Sequence, residues 1–192
     1  MCLCLYFKIL RMRKFRLLLI FLSCSIISSW AAAPDFEIPA GKVYENAEEC
    51  RADNELAAKA ARYFFTTKLP EDAVYVKQAT LFVTSWIRAS DEILVGGTNQ
   101  TVGSLFSCDM DLSFFMWGAY ICGCVQYNRD VLTSKEYTFE MYYYALEASL
   151  RYYEKNKDFF KGCKKIDRML KSMKNGKLRK EQERLFSAPA KE

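Results

Sequence analysis

The stretch Leu112-Ser-Phe-Phe-Met-Trp-Gly-Ala-Tyr-Ile-Cys-Gly-Cys-Val125 is apolar on nearly every side of the helix that it would form. Fourteen such residues suit a helix buried in a protein core, whereas a membrane span needs about 20. The stretch also has two pairs of small residues at four-residue spacing, which are Gly118 with Cys122 and Ala119 with Gly123. Small residues let another helix approach closely. We therefore predict a central helix that runs from Ser107 or Cys108 to Tyr127.

Amphipathic helices are predicted on both sides of this central helix. Apolar residues recur at helical spacing over 48–66, 70–89, 133–155, 162–173 and 177–186. Pro70 suits a first helical position, and Thr133-Ser-Lys-Glu136 has the form of a capping box. These patterns predict an all-α, single-domain antiparallel bundle of five to six helices, with a short helical-repeat array as the alternative.

The first 31 residues have the pattern of a secretory signal peptide. Five basic and no acidic side chains precede an apolar run, Leu17–Ile27, and the small residues Ser29 and Ala31 stand at the spacing of a cleavage site. We predict cleavage after Ala31, with retention as an anchor or acylation at Cys24 as alternatives, and Met12 offers a second start. The expected location is periplasmic or secreted, or membrane-anchored as a lipoprotein through Cys24. An extended segment (32–46), a helical domain (47–186) and a disordered tail (187–192) would follow.

The net charge of +5 over 192 residues belongs to this leader. Without residues 1–31 the chain has 23 basic and 23 acidic side chains, but residues 32–153 carry −7 and residues 154–192 carry +7. A neutral domain gives no reason to expect a nucleic-acid partner. The chain also has no histidine, which removes Ser-His, Cys-His and His-metal chemistry. We expect neither a cofactor nor a metal ion.

Five cysteines follow the leader: Cys50, Cys108, Cys122, Cys124 and Cys163. An exported chain reaches an oxidising compartment, where a disulfide among them would persist. Cys122 and Cys124 are two residues apart on a predicted helix, so their side chains point about 200° apart and do not easily bond each other. The alternative for this pair is a role as small core residues.

A set of tyrosines marks the predicted helix over 133–155. They are Tyr137, Tyr142, Tyr143, Tyr144, Tyr152 and Tyr153. Tyrosine is enriched at binding surfaces, so a ligand or partner face is one interpretation. Packing between helices is the other.

The predicted helix over 162–173 is amphipathic and basic. Its cationic residues are Lys164, Lys165, Arg168, Lys171 and Lys174, and Ile166, Met169, Leu170 and Met173 form its apolar stripe. Such a helix either docks its stripe on the bundle or lies on an anionic membrane surface, in which case residues 161–186 would make the contact.

Carboxylates and a glycine-rich loop complete the polar features. Asp109 and Asp111 stand where they would complement the positive end of the central helix. In a hydrolase without histidine they and Glu140 would be the candidate acid and base. The loop over 96–104 contains three glycines but lacks the lysine of a phosphate-binding loop, which indicates a flexible connection.

Three short stretches resemble those of small exported all-helical bacterial proteins of unknown function. They are Trp86-Ile87-x-Ala89-Ser90-Asp91, Tyr144-Ala-Leu-Glu-Ala148 and Lys174-Asn-Gly-Lys177-Leu178. The resemblance, over about residues 70–186, implies a helical fold and export and supplies no catalytic residue. Together with the absence of converging polar motifs, it favours an exported, non-catalytic helical binding or scaffold protein. Its partner would be an unknown protein or small ligand. A carboxylate-dependent hydrolase and a membrane-peripheral protein are the alternatives.

Overall fold

The computed structural model describes residues 34–39, 41–97, 101–131 and 135–188, so the predicted leader lies outside the described residues. The described residues form seven helices and no strand, in agreement with the predicted all-α fold. In chain order the helices are α1 (Ala47–Arg51), α2 (Asn54–Thr66), α3 (Ala73–Ala89), α4 (Met110–Asp130), α5 (Phe139–Lys155), α6 (Lys164–Lys174) and α7 (Leu178–Phe186).

Helix α4 is the predicted central helix, and it packs against α2, α3 and α5. Its 21 residues span about 31 Å, and twelve of them are buried. Two glycines set the distance to its neighbours. A Cβ at Gly123 would lie 2.8 Å from the Cα of Ala145 in α5, and one at Gly118 would lie 2.8 Å from the Phe64 ring in α2. The small residues therefore allow close helix packing, as the sequence predicts.

The long helices alternate in direction with one exception. Trp86 Nε1, near the end of α3, donates a hydrogen bond to Asn54 Oδ1 at the start of α2. The Tyr63 ring near the end of α2 contacts the Tyr75 ring near the start of α3, so the two helices are antiparallel. Helices α4 and α5 are antiparallel as well. Gly123 of α4 lies against Ala145 of α5, and Phe115 near the start of α4 contacts Phe160, which follows the end of α5.

Helices α3 and α4, however, run parallel. Lys77 and Met110, near the N-termini of α3 and α4, line the same cleft. Closer to the C-terminal end of each helix, Thr84 of α3 accepts a hydrogen bond from Trp117 of α4. Residues 90–109 provide a connection long enough to return the chain before α4 begins.

The predicted helix over 48–66 is divided in two. Helix α1 ends at Arg51, and α2 starts at Asn54. Asp53, at the break, receives hydrogen bonds from Lys42 Nζ (2.6 Å) and Tyr44 Oη (2.5 Å). These two bonds hold the pKa of Asp53 below its ordinary value, although partial burial opposes ionisation. The break thus coincides with the point where the N-terminal segment is attached.

Two predicted helix starts are wrong. Pro70 lies in a turn, and α3 begins at Ala73, because the Asp72 carboxylate accepts from the Lys68 amide at 2.7 Å and closes that turn. Helix α5 begins at Phe139, with Thr138 capping the Met141 amide. Thr133 itself lies outside the described residues.

The tertiary position of Tyr137 explains the later start of α5. Its ring fills the space where a side chain at Gly96 would lie, and its hydroxyl is 2.7 Å from that of Tyr120. Residues 135–138 therefore stay out of the helix, and Tyr137 does not share a helical face with the other tyrosines.

Helices α6 and α7 dock on the bundle through apolar side chains. Ile166 and Leu170 of α6 and Leu178 of α7 are buried, and Met169 and Met173 are half-buried. The cationic side chains of both helices remain exposed. The apolar stripe thus packs on the bundle, which is the first of the two arrangements that its pattern predicts.

Candidate functional site

The tyrosines of α5 divide between the core and the surface. Tyr142, Tyr152 and Tyr153 are buried, Tyr143 is half-buried, and Tyr144 is 39% exposed beside the Tyr127 ring. Burial raises the pKa of Tyr152 to about 12, and burial with the neighbouring Glu147 does the same for Tyr143. Within this set, Tyr144 offers an outside partner the most exposed ring.

The buried hydroxyls form internal networks. Tyr137 and Tyr120 share a hydrogen bond, and Tyr120 also donates to the Gly96 carbonyl at 2.9 Å. Tyr142 donates to Gln182 Oε1 of α7 at 2.6 Å and lies 3.2 Å from the Thr101 carbonyl. Burial raises the pKa of Tyr120 and of Tyr142 above the ordinary value, so both hydroxyls stay neutral.

These networks hold the segment that the sequence predicts to be a flexible loop. Thr101 and Val102 of this loop are buried, as is Leu105 directly after it, while residues 98–100 lie outside the described residues. The loop contacts the core at Gly96 and again from Thr101, so the flexible-connection prediction is wrong for residues 101 and 102.

A disulfide joins Cys108, just before α4, to Cys163, just before α6, with 6.1 Å between their Cα atoms. It closes a loop of 55 residues that contains α4 and α5. The prediction that a disulfide forms is thus confirmed, and the fold selects this pair from the five cysteines.

The three other cysteines among the described residues are buried free thiols. Cys122 and Cys124 lie in α4, and Cys50 in α1 is 3.3 Å from the Trp86 carbonyl. Burial raises the pKa of Cys50 to about 11 and that of Cys124 to about 12. A thiol with so high a pKa is unreactive at neutral pH. Cys122 and Cys124 are small core residues, which is the alternative that their spacing suggests.

An open cleft of about 540 Å³ lies beside the disulfide, at the N-terminal ends of α3 and α4. We call it the aromatic cleft and define it by Phe115, Phe159, Phe160, Met110, Lys77 and Lys161. Phe115 contacts both Phe159 and Phe160, with ring centroids 5.8 Å apart in each case. Phe115 and Phe160 are buried, whereas Phe159 is 41% and Met110 87% exposed. The floor is therefore aromatic, and part of it is open to solvent.

Charged groups of both signs surround this floor. Lys77 and Lys161 both line the cleft and are exposed, and Asp109 and Asp111 line it at the start of α4. Asp109 caps α4 by accepting from the Leu112 amide at 2.9 Å, which confirms its predicted role at that helix end. Sequence reasoning missed Phe159 and Phe160. An aromatic pair in a short polar loop between two helices was the available signal.

The candidate hydrolase carboxylates do not converge. Asp109 and Asp111 begin α4, whereas Glu140 begins the antiparallel α5 and pairs with Arg179 of α7. Helix α4 is about 31 Å long, so Glu140 lies near the opposite end of the bundle from the two aspartates. Glu140 therefore does not form an acid–base pair with either aspartate.

The cations of α6 make few ion pairs. Lys174 pairs with Glu154, while Lys164, Lys165, Arg168 and Lys171 have no acidic partner among the described residues. Of the ion pairs found there, only Arg179–Glu140 joins the acidic body (32–153) to the basic C-terminal segment (154–192). Most of the positive charge of that segment therefore faces solvent.

The described ranges contain neither a cluster of metal ligands nor a helix that could span a membrane. No group of three or more Cys, Asp or Glu side chains in them is placed to hold a metal ion. No helix formed by these residues has the length and apolar character needed to cross a membrane.

No protein-family model, curated protein or solved structure matches the chain.

Proposed function

We propose that the protein is exported and acts as a non-catalytic helical binding protein, with the aromatic cleft as its ligand-binding site. The proposal is supported by the disulfide, which links two chain segments that contribute residues to the cleft. Cys108 directly precedes Asp109 in one segment, and Cys163 follows Lys161 by two residues in the other. A covalent link between two segments that line an open site lowers the cost of ordering them when a ligand binds.

The chemistry of the cleft defines the class of ligand. Small-molecule sites typically have volumes of about 300–1,000 Å³ and an apolar lining with a few charged groups. The exposed Phe159 ring would cover an aromatic or aliphatic body, while Lys77 and Lys161 would meet an anionic group on it. A small amphipathic molecule with an anionic group fits this arrangement.

The disulfide and the leader together support export. Disulfides persist in oxidising compartments and are rare in the cytosol, and residues 1–31 have the pattern that directs a chain across a membrane. Mass spectrometry of the protein recovered from the producing cells tests this part. We expect an N-terminus at Ala32. A full-length chain that stays in the cytoplasm would overturn the export proposal.

Titration with the anionic aromatic dye anilinonaphthalene sulfonate tests the cleft. We expect dye fluorescence to saturate on the folded protein, and Phe159→Ala to weaken dye affinity about tenfold because it removes most of the exposed aromatic surface of the cleft. Leu94→Ala is the matched control, since Leu94 is also exposed and lies outside the cleft. Equal affinity in the wild-type protein and the Phe159 variant would contradict the assignment of the site.

A further inference from the structure

Helices α6 and α7 carry two rows of cations that face away from the bundle. Lys164, Arg168 and Lys171 follow at i, i+4 and i+7 in α6, and Lys177, Lys180 and Arg184 at i, i+3 and i+7 along α7. Each row spans about 10 Å. We call these six residues the basic face.

The opposite side of each helix is buried, which fixes the direction of the rows. In α6 the buried residues are Ile166 and Leu170, and in α7 they are Leu178 and Gln182. Helical geometry places each pair on the side away from its cationic row. Because the apolar side chains are engaged in packing, the rows cannot turn inward to meet acidic groups of the body.

The acidic residues of α6 and α7 are already engaged elsewhere. Asp167 pairs with Lys157, Glu181 accepts from Ser172 Oγ at 2.7 Å, and Glu183 lies 3.5 Å from Arg179. Within the described residues, no ion pair includes a member of the basic face. Residues 161–188 hold ten basic and three acidic side chains, so this segment has a net charge of +7.

The basic face also lacks an apolar centre. Between residues 161 and 188, every described large apolar side chain is buried or half-buried. Specific protein–protein interfaces depend on buried aromatic and apolar anchors, and single-stranded nucleic acids stack on exposed aromatic rings. The basic face offers neither kind of anchor. Its partner must therefore be held by charge over a broad surface.

We propose that the basic face binds the surface of a bilayer that contains anionic phospholipids. Such a surface is a dense plane of phosphate groups, and it attracts clusters of four to eight lysines and arginines without any matching shape. Lys177, Lys180 and Arg184 also line an open depression of about 910 Å³, together with Glu181 and Glu183, so its cations outnumber its carboxylates by one. The choice of a bilayer over double-stranded nucleic acid rests on the proposed export, since an exported chain meets the membrane first.

Lysine footprinting of the full chain tests the contact locally. The protein is acetylated with and without vesicles of phosphatidylcholine mixed with phosphatidylglycerol, and the sites are quantified by mass spectrometry. We expect protection of Lys164, Lys171, Lys177 and Lys180, and no protection of Lys59, which is exposed on α2. Vesicles of phosphatidylcholine alone should protect none of them. Residues 1–31 do not confound the result, because each site is measured separately.

Charge variants test whether the rows supply the attraction. Each cation near an anionic surface contributes about fivefold in partitioning, so Lys164→Gln/Lys171→Gln should lower partitioning into the anionic vesicles roughly 30-fold. Lys59→Gln/Arg88→Gln removes the same charge from exposed sites outside the face and should leave partitioning nearly unchanged. Higher salt should weaken the wild-type contact.

Two results would overturn the proposal. One is equal acetylation of the four lysines with and without anionic vesicles. The other is protection by a DNA duplex but not by the vesicles, which would assign the face to nucleic acid. Neither result affects dye binding in the aromatic cleft or the mass of the processed N-terminus, so this proposal fails separately from the proposed function.

Discussion

Helix α4 and the C-terminal pair α6–α7 use their side chains in opposite ways. In α4 twelve of 21 residues are buried, and Gly123 lies against the backbone of α5. In α6 and α7 only two residues of each helix are buried, and the cations surround those contacts. Shape complementarity holds the first region. The second is held by a narrow stripe, a few hydrogen bonds and the disulfide at Cys163.

This difference indicates where substitutions should matter. Closely packed helices respond to a single methyl group, whereas exposed charges contribute little to stability. The same difference separates the region that determines the fold from the region available for partners.

Removing the disulfide should have the largest effect, because it joins the two regions. For Cys108→Ser/Cys163→Ser we expect a loss of roughly 4 kcal/mol in the free energy of unfolding, since the 55-residue loop gains freedom in the unfolded chain. Urea denaturation of the variant and of the oxidised wild-type protein measures the loss. Equal midpoints would show that the bridge does not hold α6 to the bundle.

Gly123→Ala tests the packing of α4. An added Cβ would lie 2.8 Å from the Ala145 Cα, and backbone cannot rotate away as a side chain can. We expect a net loss of about 2 kcal/mol in the free energy of unfolding, because overpacking outweighs the gain in helix propensity. Thermal unfolding followed by circular dichroism measures it. A variant more stable than wild type would mean that propensity alone governs this position.

Tyr142→Phe tests the hydrogen bond that couples α5 to α7. The change removes the donor to Gln182 Oε1 and leaves that buried acceptor unpaired, so we expect a loss of about 1.5 kcal/mol. Tyr144→Phe is the matched control. Tyr144 is exposed and has no hydrogen-bond partner among the described residues, and its change should stay within about 0.5 kcal/mol. Equal losses in the two variants would contradict the assigned network.

Lys164→Gln/Lys171→Gln should have the smallest effect on stability. Neither lysine pairs with an acidic side chain in the described part of the chain, so we expect a change within about 0.5 kcal/mol in urea denaturation. The same double variant should strongly reduce binding to anionic vesicles. A large loss of stability would instead assign these lysines a structural role.

The sequence predicts the regions whose structure depends on local apolar patterning or on a local helix cap. Residues 112–125 are apolar on all sides, and only a buried helix accommodates that pattern. The stripe of Ile166 and Leu170 likewise predicts α6 and its docking. Asp109 is a further success, because a helix cap depends only on residues a few positions away.

Features that depend on tertiary contacts could not be predicted in this way. Five cysteines permit many pairings, and the antiparallel course of α4 and α5 brings Cys108 close to Cys163. The capping-box pattern predicts a helix start at residue 133, but the packing of Tyr137 against Gly96 delays the start of α5 to Phe139. The cleft depends on the same topology, since Phe115 and Phe160 are far apart in the sequence.

Thiol counting in the protein recovered from its producing cells tests whether this is an exported, disulfide-linked helical domain. Alkylation is measured by mass spectrometry in the native state, after denaturation, and after denaturation with a reductant. We expect no alkylation in the native state at neutral pH. Denaturation should expose Cys50, Cys122 and Cys124 to alkylation. Cys108 and Cys163 should be alkylated only after denaturation with a reductant. Alkylation of Cys108 and Cys163 without reductant would show that the protein does not contain this disulfide.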